Sequence, residues 1–127
     1  MKEIIGEPIK LPDGTVIPIS QAVKANGFLF VSGQLGLTPG FQLAGNDIEA
    51  QTTQALKNLK GQLAAGGTDP EHVVKVNVWI TDKANFAGFN KIYAGLFGEA
   101  PPARSTVVSD LLIPGALVEI EAVAVLP

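Results

Sequence analysis

The chain has 127 residues, 46% of them hydrophobic and only 17% charged, with a net charge of −3 at pH 7 and no cysteine. That is enough for one domain, residues 1–127, with one hydrophobic core, and the acidic balance leaves no Lys/Arg stripe to displace counterions from a nucleic acid. Disulfides and thiolate chemistry are excluded, and a zinc site is disfavoured because His72 is the only histidine.

No apolar run reaches bilayer-spanning length, and Met1-Lys2-Glu3-Ile4-Ile5-Gly6 lacks the apolar stretch of a signal peptide. The expectation is a cytoplasmic protein with no membrane association. So low a charge fraction in a small globule points to apolar surface hidden by other subunits.

In chain order, residues 16–24 and Phe28 to Gln34 read as two strands joined by Asn26-Gly27, a strong hairpin signal. Gly36 to Gly45 is loop. Asn46 then reads as a helix N-cap with Glu49 three residues on, and Ile48, Thr52, Ala55, Leu56, Leu59 and Leu63 recur at helical spacing until Gly66-Gly67. From His72 to Thr81 an apolar set, Val74, Val76, Val78 and Ile80, alternates with Lys75, Asn77 and Trp79. Asp82 is placed to cap a second helix with the stripe Phe86, Phe89, Tyr93, Leu96 and Phe97, closed by Gly98. Residues 104–109 and 116–126 supply the last strands.

The expected fold is α+β, ordered β-β-α-β-α-β-β, a mixed sheet with both helices on one face. In the last strand Ala116, Val118, Ile120, Ala122 and Ala124 point one way, and Leu117, Glu119, Glu121, Val123 and Val125 the other. The second strand is likewise apolar on both sides. Two helices cover one face, so the other is expected to pack against further copies of the chain, at an interface that includes Glu119.

The charges that stand out are Arg104, in Pro101-Pro102-Ala103-Arg104-Ser105-Thr106, and the carboxylates of Glu119 and Glu121 beyond Pro114-Gly115. A guanidinium offers a planar donor fork that matches a carboxylate or phosphate, so Arg104 is the best candidate for gripping an anionic small molecule; an ion pair at a sheet edge is the competing reading. From pattern alone Glu119 and Glu121 are equivalent, and Trp79 and His72 read as packing and surface. Gly33-Gln34-Leu35-Gly36 and Gly66-Gly67 lack the spacing of a phosphate loop, so these glycines read as turns and a helix stop, and no cofactor is implied.

These residues form a pattern. Pro102-Ala103-Arg104-Ser105-Thr106 with Pro114-Gly115-Ala116-Leu117-Val118-Glu119-Ile120-Glu121-Ala122 resembles the C-terminal signature of the RidA/YjgF/UK114 family of reactive-intermediate deaminases. Ser20-Gln21-Ala22-Val23, Val31-Ser32-Gly33-Gln34, and Asn85-Phe86-Ala87 through Asn90 and Tyr93 resemble its other blocks, in order.

The resemblance implies a chorismate-mutase-like subunit in a homotrimer with clefts between subunits, which hydrolyse 2-imino acids or their enamine tautomers to 2-keto acids and ammonia. By the same resemblance Arg104 binds the substrate carboxylate, and Glu119 positions and activates the attacking water. Asn90, Ser32, Gly33 and Thr106 line the cleft. Two positions depart from the family: Ile19, in Ile17-Pro18-Ile19-Ser20, stands where well-characterised imine deaminases carry a tyrosine, and Thr106 stands at the family cysteine position. Ile19 cannot donate a phenolic hydrogen bond but can wall an apolar pocket.

Two alternatives accompany the deaminase. One is a non-catalytic trimer that binds small carboxylates in the same cleft. The other is the ribonuclease activity attached to some members, disfavoured here by the acidic balance and the absence of a histidine pair.

Overall fold

The computed structural model describes residues 1–127 and runs β1 (Glu3–Ile5), β2 (Ile9–Lys10), β3 (Val16–Ile17), β4 (Ala22–Ala25), β5 (Phe28–Leu35), α1 (Ile48–Ala65), β6 (Val73–Ile80), α2 (Phe86–Phe97), β7 (Ala103–Val108) and β8 (Val118–Val125). Six strands form one sheet in the order β1-β4-β5-β8-β6-β7, and β2 and β3 pair separately. All neighbours are antiparallel except β6 and β7. A parallel neighbour needs a crossover, and α2 is that crossover. No helix is long and apolar enough to cross a membrane.

Three expectations map directly onto elements. Asn26 and Gly27 adopt the left-handed φ values, 53° and 83°, that a two-residue hairpin turn requires, and Ala25 pairs with Phe28 across it. The α1 stripe is buried as its spacing predicts, and both helices lie on one face of a mixed sheet. There, Leu29, Val31, Val76, Val78, Ile80, Val118, Ile120, Ala122 and Ala124 share one core with Leu56, Leu59, Leu63, Phe89, Tyr93 and Phe97.

Elsewhere the structure corrects the sequence reading. The segment 16–24 is not one strand, because Val16–Ile17 pairs with β2 while Ala22–Ala25 joins the main sheet, with Pro18, which has no N–H to donate to a ladder, between them. The additional strands β1 and β2 carry too few residues to show a periodic pattern. Asp47, not Asn46, caps α1, its carboxylate accepting a hydrogen bond from Ala50 N at 2.8 Å. Asp82 caps a 3-10 turn over Lys83–Asn85, and α2 starts only after it.

In β6 the register slips between Val73 and Lys75, so Val73 is buried and Val74 is 43% exposed, against the strict alternation expected from Val74 onward. Phe86, expected on the buried stripe of α2, is 42% exposed.

Gln51 is fully buried on the apolar stripe of α1. Its amide donates to Gly45 O (2.9 Å) and Gly115 O (3.0 Å) and accepts from Leu117 N (2.8 Å). One side chain thus ties the loop after β5 and the loop before β8 to α1, and fixes where β8 begins. Gly36 packs on the same turn, where a Cβ would come within 2.6 Å of Gln51 O.

Candidate active site

Glu119 sits in β8 with Leu35 of β5 on one side and Trp79 of β6 on the other. Residues opposite each other in a ladder share a face, and Trp79 alternates with the buried Val78 and Ile80, so Glu119 lies on the sheet face away from the helices. The β5–β8 register shifts between Val31 and Gln34, which places a bulge at Ser32-Gly33 beside it. A Cβ on Gly33 would land on the Glu119 carboxylate. Gly33 is therefore no turn residue but the opening that seats Glu119, which corrects its sequence reading. An isolated glycine inside a strand is the signal that marks such a close approach.

Ser32 secures the bulge by donating from Oγ to Ser20 O at 2.6 Å, while its N–H donates to Gln21 O at 3.1 Å. These bonds tie the segment carrying Ile19, whose side chain is 48% exposed, to the strand beside Glu119. Burial first, and the charge of Glu121 second, raise the Glu119 carboxyl above its ordinary range. Glu121 lies on the same face and accepts a hydrogen bond from Asn77 Nδ2 at 3.0 Å.

Arg104 is built differently. It pairs in register with Val76, and Thr106 with Val78, so both point to the helix side at the edge of the sheet. There the guanidinium carbon lies 4.7 Å from the Tyr93 ring centre, 5.4 Å from Phe89 and 5.7 Å from Phe86. Stacking on aromatic faces holds a guanidinium in place while leaving its in-plane N–H donors free. Asn90 falls between Phe86 and Tyr93 on the same helical arc. The hydroxyls of Tyr93 and Thr106 are buried without hydrogen-bond partners, and burial pushes the Tyr93 hydroxyl up against the opposing pull of the Arg104 cation. The aromatic seat was not foreseen, although the stripe that forms it was.

The predicted site residues thus fall into two groups. Ser32, Gly33 and Glu119 belong to the open face, and Arg104, Thr106 and Asn90 to the helix side of the edge strand. Ile19, one residue before the Ser20 carbonyl that Ser32 binds, stands apart in a pocket with Ile4, Pro8 and Ile17. Strand β6 separates β7 from β8, so within one chain Arg104 and Glu119 do not meet. The sheet-edge ion pair between them is ruled out, and the chain's two ion pairs, His72 with Asp69 and Lys91 with Glu49, involve neither. What the arrangement offers is a preorganised cation for an anionic group on one side, and a proton-accepting carboxylate with elevated basicity on the other.

Comparison with known proteins adds an independent finding. The sequence profile of the family described as Endoribonuclease L-PSP matches residues 13–126. A RutC family protein of Pyrococcus horikoshii is 43% identical over 126 residues, covering 98% of each chain. The chloroplastic Reactive Intermediate Deaminase A of Arabidopsis thaliana is 44% identical over 110 residues, which cover 86% of this chain and 59% of that one. Among solved structures, RidA of an Antarctic Psychrobacter superposes with a TM-score of 0.86 at 34% identity, covering 98% of this chain and 99% of that one.

Proposed function

The chain belongs to the endoribonuclease L-PSP family, the RidA/YjgF group, and from that premise we propose that it hydrolyses reactive 2-imino acids and their enamine tautomers, such as 2-iminobutanoate and 2-aminoacrylate, to 2-keto acids and ammonia. The catalytic unit is a homotrimer in which the open sheet face of each chain is covered by a neighbour. In each cleft Arg104 of one chain meets Glu119 of the next. The observation that carries this reading is the placement of the two groups on opposite sides of one sheet, each without an ionic partner in its own chain.

In that cleft the Arg104 fork binds the substrate carboxylate and fixes the imine carbon. Glu119 accepts a proton from a water as its oxygen adds to that carbon and hands that proton to the imine nitrogen, which regenerates the carboxylate. The resulting carbinolamine collapses to the ketone, with loss of ammonia. Thr106, Asn90 and the Ser32-Gly33 bulge line the cleft, and no cofactor enters the reaction.

One observation favours a second reading, a trimer that binds small carboxylates without turning them over: Ile19 presents an apolar, half-exposed side chain where the family's well-characterised deaminases carry a phenol. An amino-acid dehydratase that generates 2-iminobutanoate in the presence of semicarbazide separates the two. Under the deaminase reading the wild type lowers semicarbazone formation and Arg104→Ala does not. Equal semicarbazone yields with and without folded wild-type protein overturn it and leave the binding trimer.

A further inference from the structure

Glu121 has no part in the reaction above, yet it is held more firmly than the carboxylate beside it. Glu119 and Glu121 are two residues apart on β8, so both side chains rise from the same face. Directly opposite Glu121 in the β6–β8 ladder is Asn77, whose amide donates to Glu121 Oε2 at 3.0 Å. Opposite Glu119 is Trp79, which offers packing. The sheet thus fixes one carboxylate by a hydrogen bond next to another that lies against Gly33 and an indole.

We propose that Glu121, anchored by Asn77, is a positioning residue that keeps a fixed negative charge beside Glu119 and so sets the pH at which Glu119 becomes a base. The inference rests on the deaminase reading only for its kinetic consequence.

The other charged groups around Glu119 leave Glu121 as its dominant electrostatic neighbour within the chain. From β6, Lys75 faces the same side, but its ammonium reaches Ser105 Oγ at 3.3 Å. From the loop after β7, Asp110 lines a shallow pocket with Glu119, Trp79, Ser109, Leu111 and Leu112, and is itself exposed. From β5, the residues beside Glu119, namely Ser32, Gly33 and Leu35, carry no charge. In the proposed cleft, Arg104 of a second copy adds a cation that acts in the opposite sense. The Glu121 effect is therefore to be measured on the assembled protein.

The test is a carboxyl-carbon NMR titration of glutamate-labelled protein, with the Glu119 resonance identified by its loss in Glu119→Gln. In Glu121→Gln, which keeps the shape and an acceptor for Asn77, the Glu119 midpoint is expected to move to lower pH. In Asn77→Ala, which frees Glu121 to swing toward solvent, it moves the same way by less. The acid limb of kcat/KM for imine hydrolysis is expected to follow the midpoint. An unmoved or raised Glu119 midpoint in Glu121→Gln overturns the inference whatever the enzyme's activity. A lowered midpoint in a protein without turnover supports it and counts against the deaminase reading alone.

Discussion

The face of the sheet under the helices and the face opposite are made from alternate residues of the same strands, yet the chain closes only the first. Leu29 and Ile120 are fully buried on the helix side, while Phe30 and Val107, on the other, remain 45% and 50% exposed. The helix side is apolar and packed, and the fully buried Gln51 is held there by three hydrogen bonds, while the unpaired hydroxyls of Tyr93 and Thr106 lie at its edge beside Arg104. The open face mixes Phe28, Phe30, Trp79 and Val123 with Glu119, Glu121 and Asn77. Folding explains the first face. The second makes sense as a surface for association and chemistry.

Substitutions on the two faces should therefore fail in different ways. Leu59→Ala, in the fully buried core, is expected to lower unfolding free energy by about 2–5 kcal/mol in urea denaturation. Phe30→Asp should cost the subunit little and instead dissociate the proposed trimer, as read by light scattering. A stable trimer in Phe30→Asp, or a Leu59→Ala protein as stable as wild type, breaks the contrast.

Gln51→Ala sharpens it, because removing that amide strands Leu117 N–H and two carbonyls in the interior, at about 1–3 kcal/mol for a buried group left unpaired. The same urea experiment reads the loss.

Glu119 offers a smaller and opposite effect. Its folded value is raised by burial and by Glu121 above the ordinary 4.5, so the folded state binds the proton more tightly than the unfolded chain. Ionisation at neutral pH thus works against folding, and that penalty disappears as pH falls through the raised value toward 4.5. In the dissociated Phe30→Asp background, where no neighbouring Arg104 faces the carboxylate, adding Glu119→Gln is expected to raise the melting temperature at neutral pH, with the difference vanishing at about pH 4. A variant that melts lower at neutral pH contradicts the assignment of Glu119 as a group placed for chemistry at the expense of stability. The smallest effect expected is at the α1 cap, where Asp47→Ala should cost about 1 kcal/mol and leave both faces unchanged.

Much of the helix face could be read in advance, because its logic is periodic. The alternation through β8, the Asn26-Gly27 turn and the α1 stripe are local patterns, and local physics decides them. Even Gln51 had a signal, since it falls on that stripe three residues after Ile48 and four before Ala55. The misreadings share another cause. Val74 was placed on the wrong face because a register slip after Val73 resets a two-residue period without leaving a glycine or proline to mark it. The separation of Arg104 from Glu119 had no signal either, because the order β8-β6-β7 puts a strand between them, and strand order is a non-local property. Gly33 was legible in principle, as a lone glycine in a β-branched and aromatic strand, but its role needs the Glu119 carboxylate lying against it. The two groups of site residues came from family resemblance, and their division between two faces came from the fold.

In the proposed trimer a working cleft needs Arg104 from one chain and Glu119 from another, and subunit mixing is the decisive experiment. Arg104→Ala and Glu119→Gln proteins, each inactive alone in the semicarbazide assay, would be unfolded together in equal amounts and refolded. Random assortment into trimers gives one intact cleft in every mixed trimer, so recovery of about a quarter of the wild-type activity is predicted. A mixture as inactive as its two components, from a wild type that turns over and with mixed trimers demonstrated, would show that both residues act within a single chain.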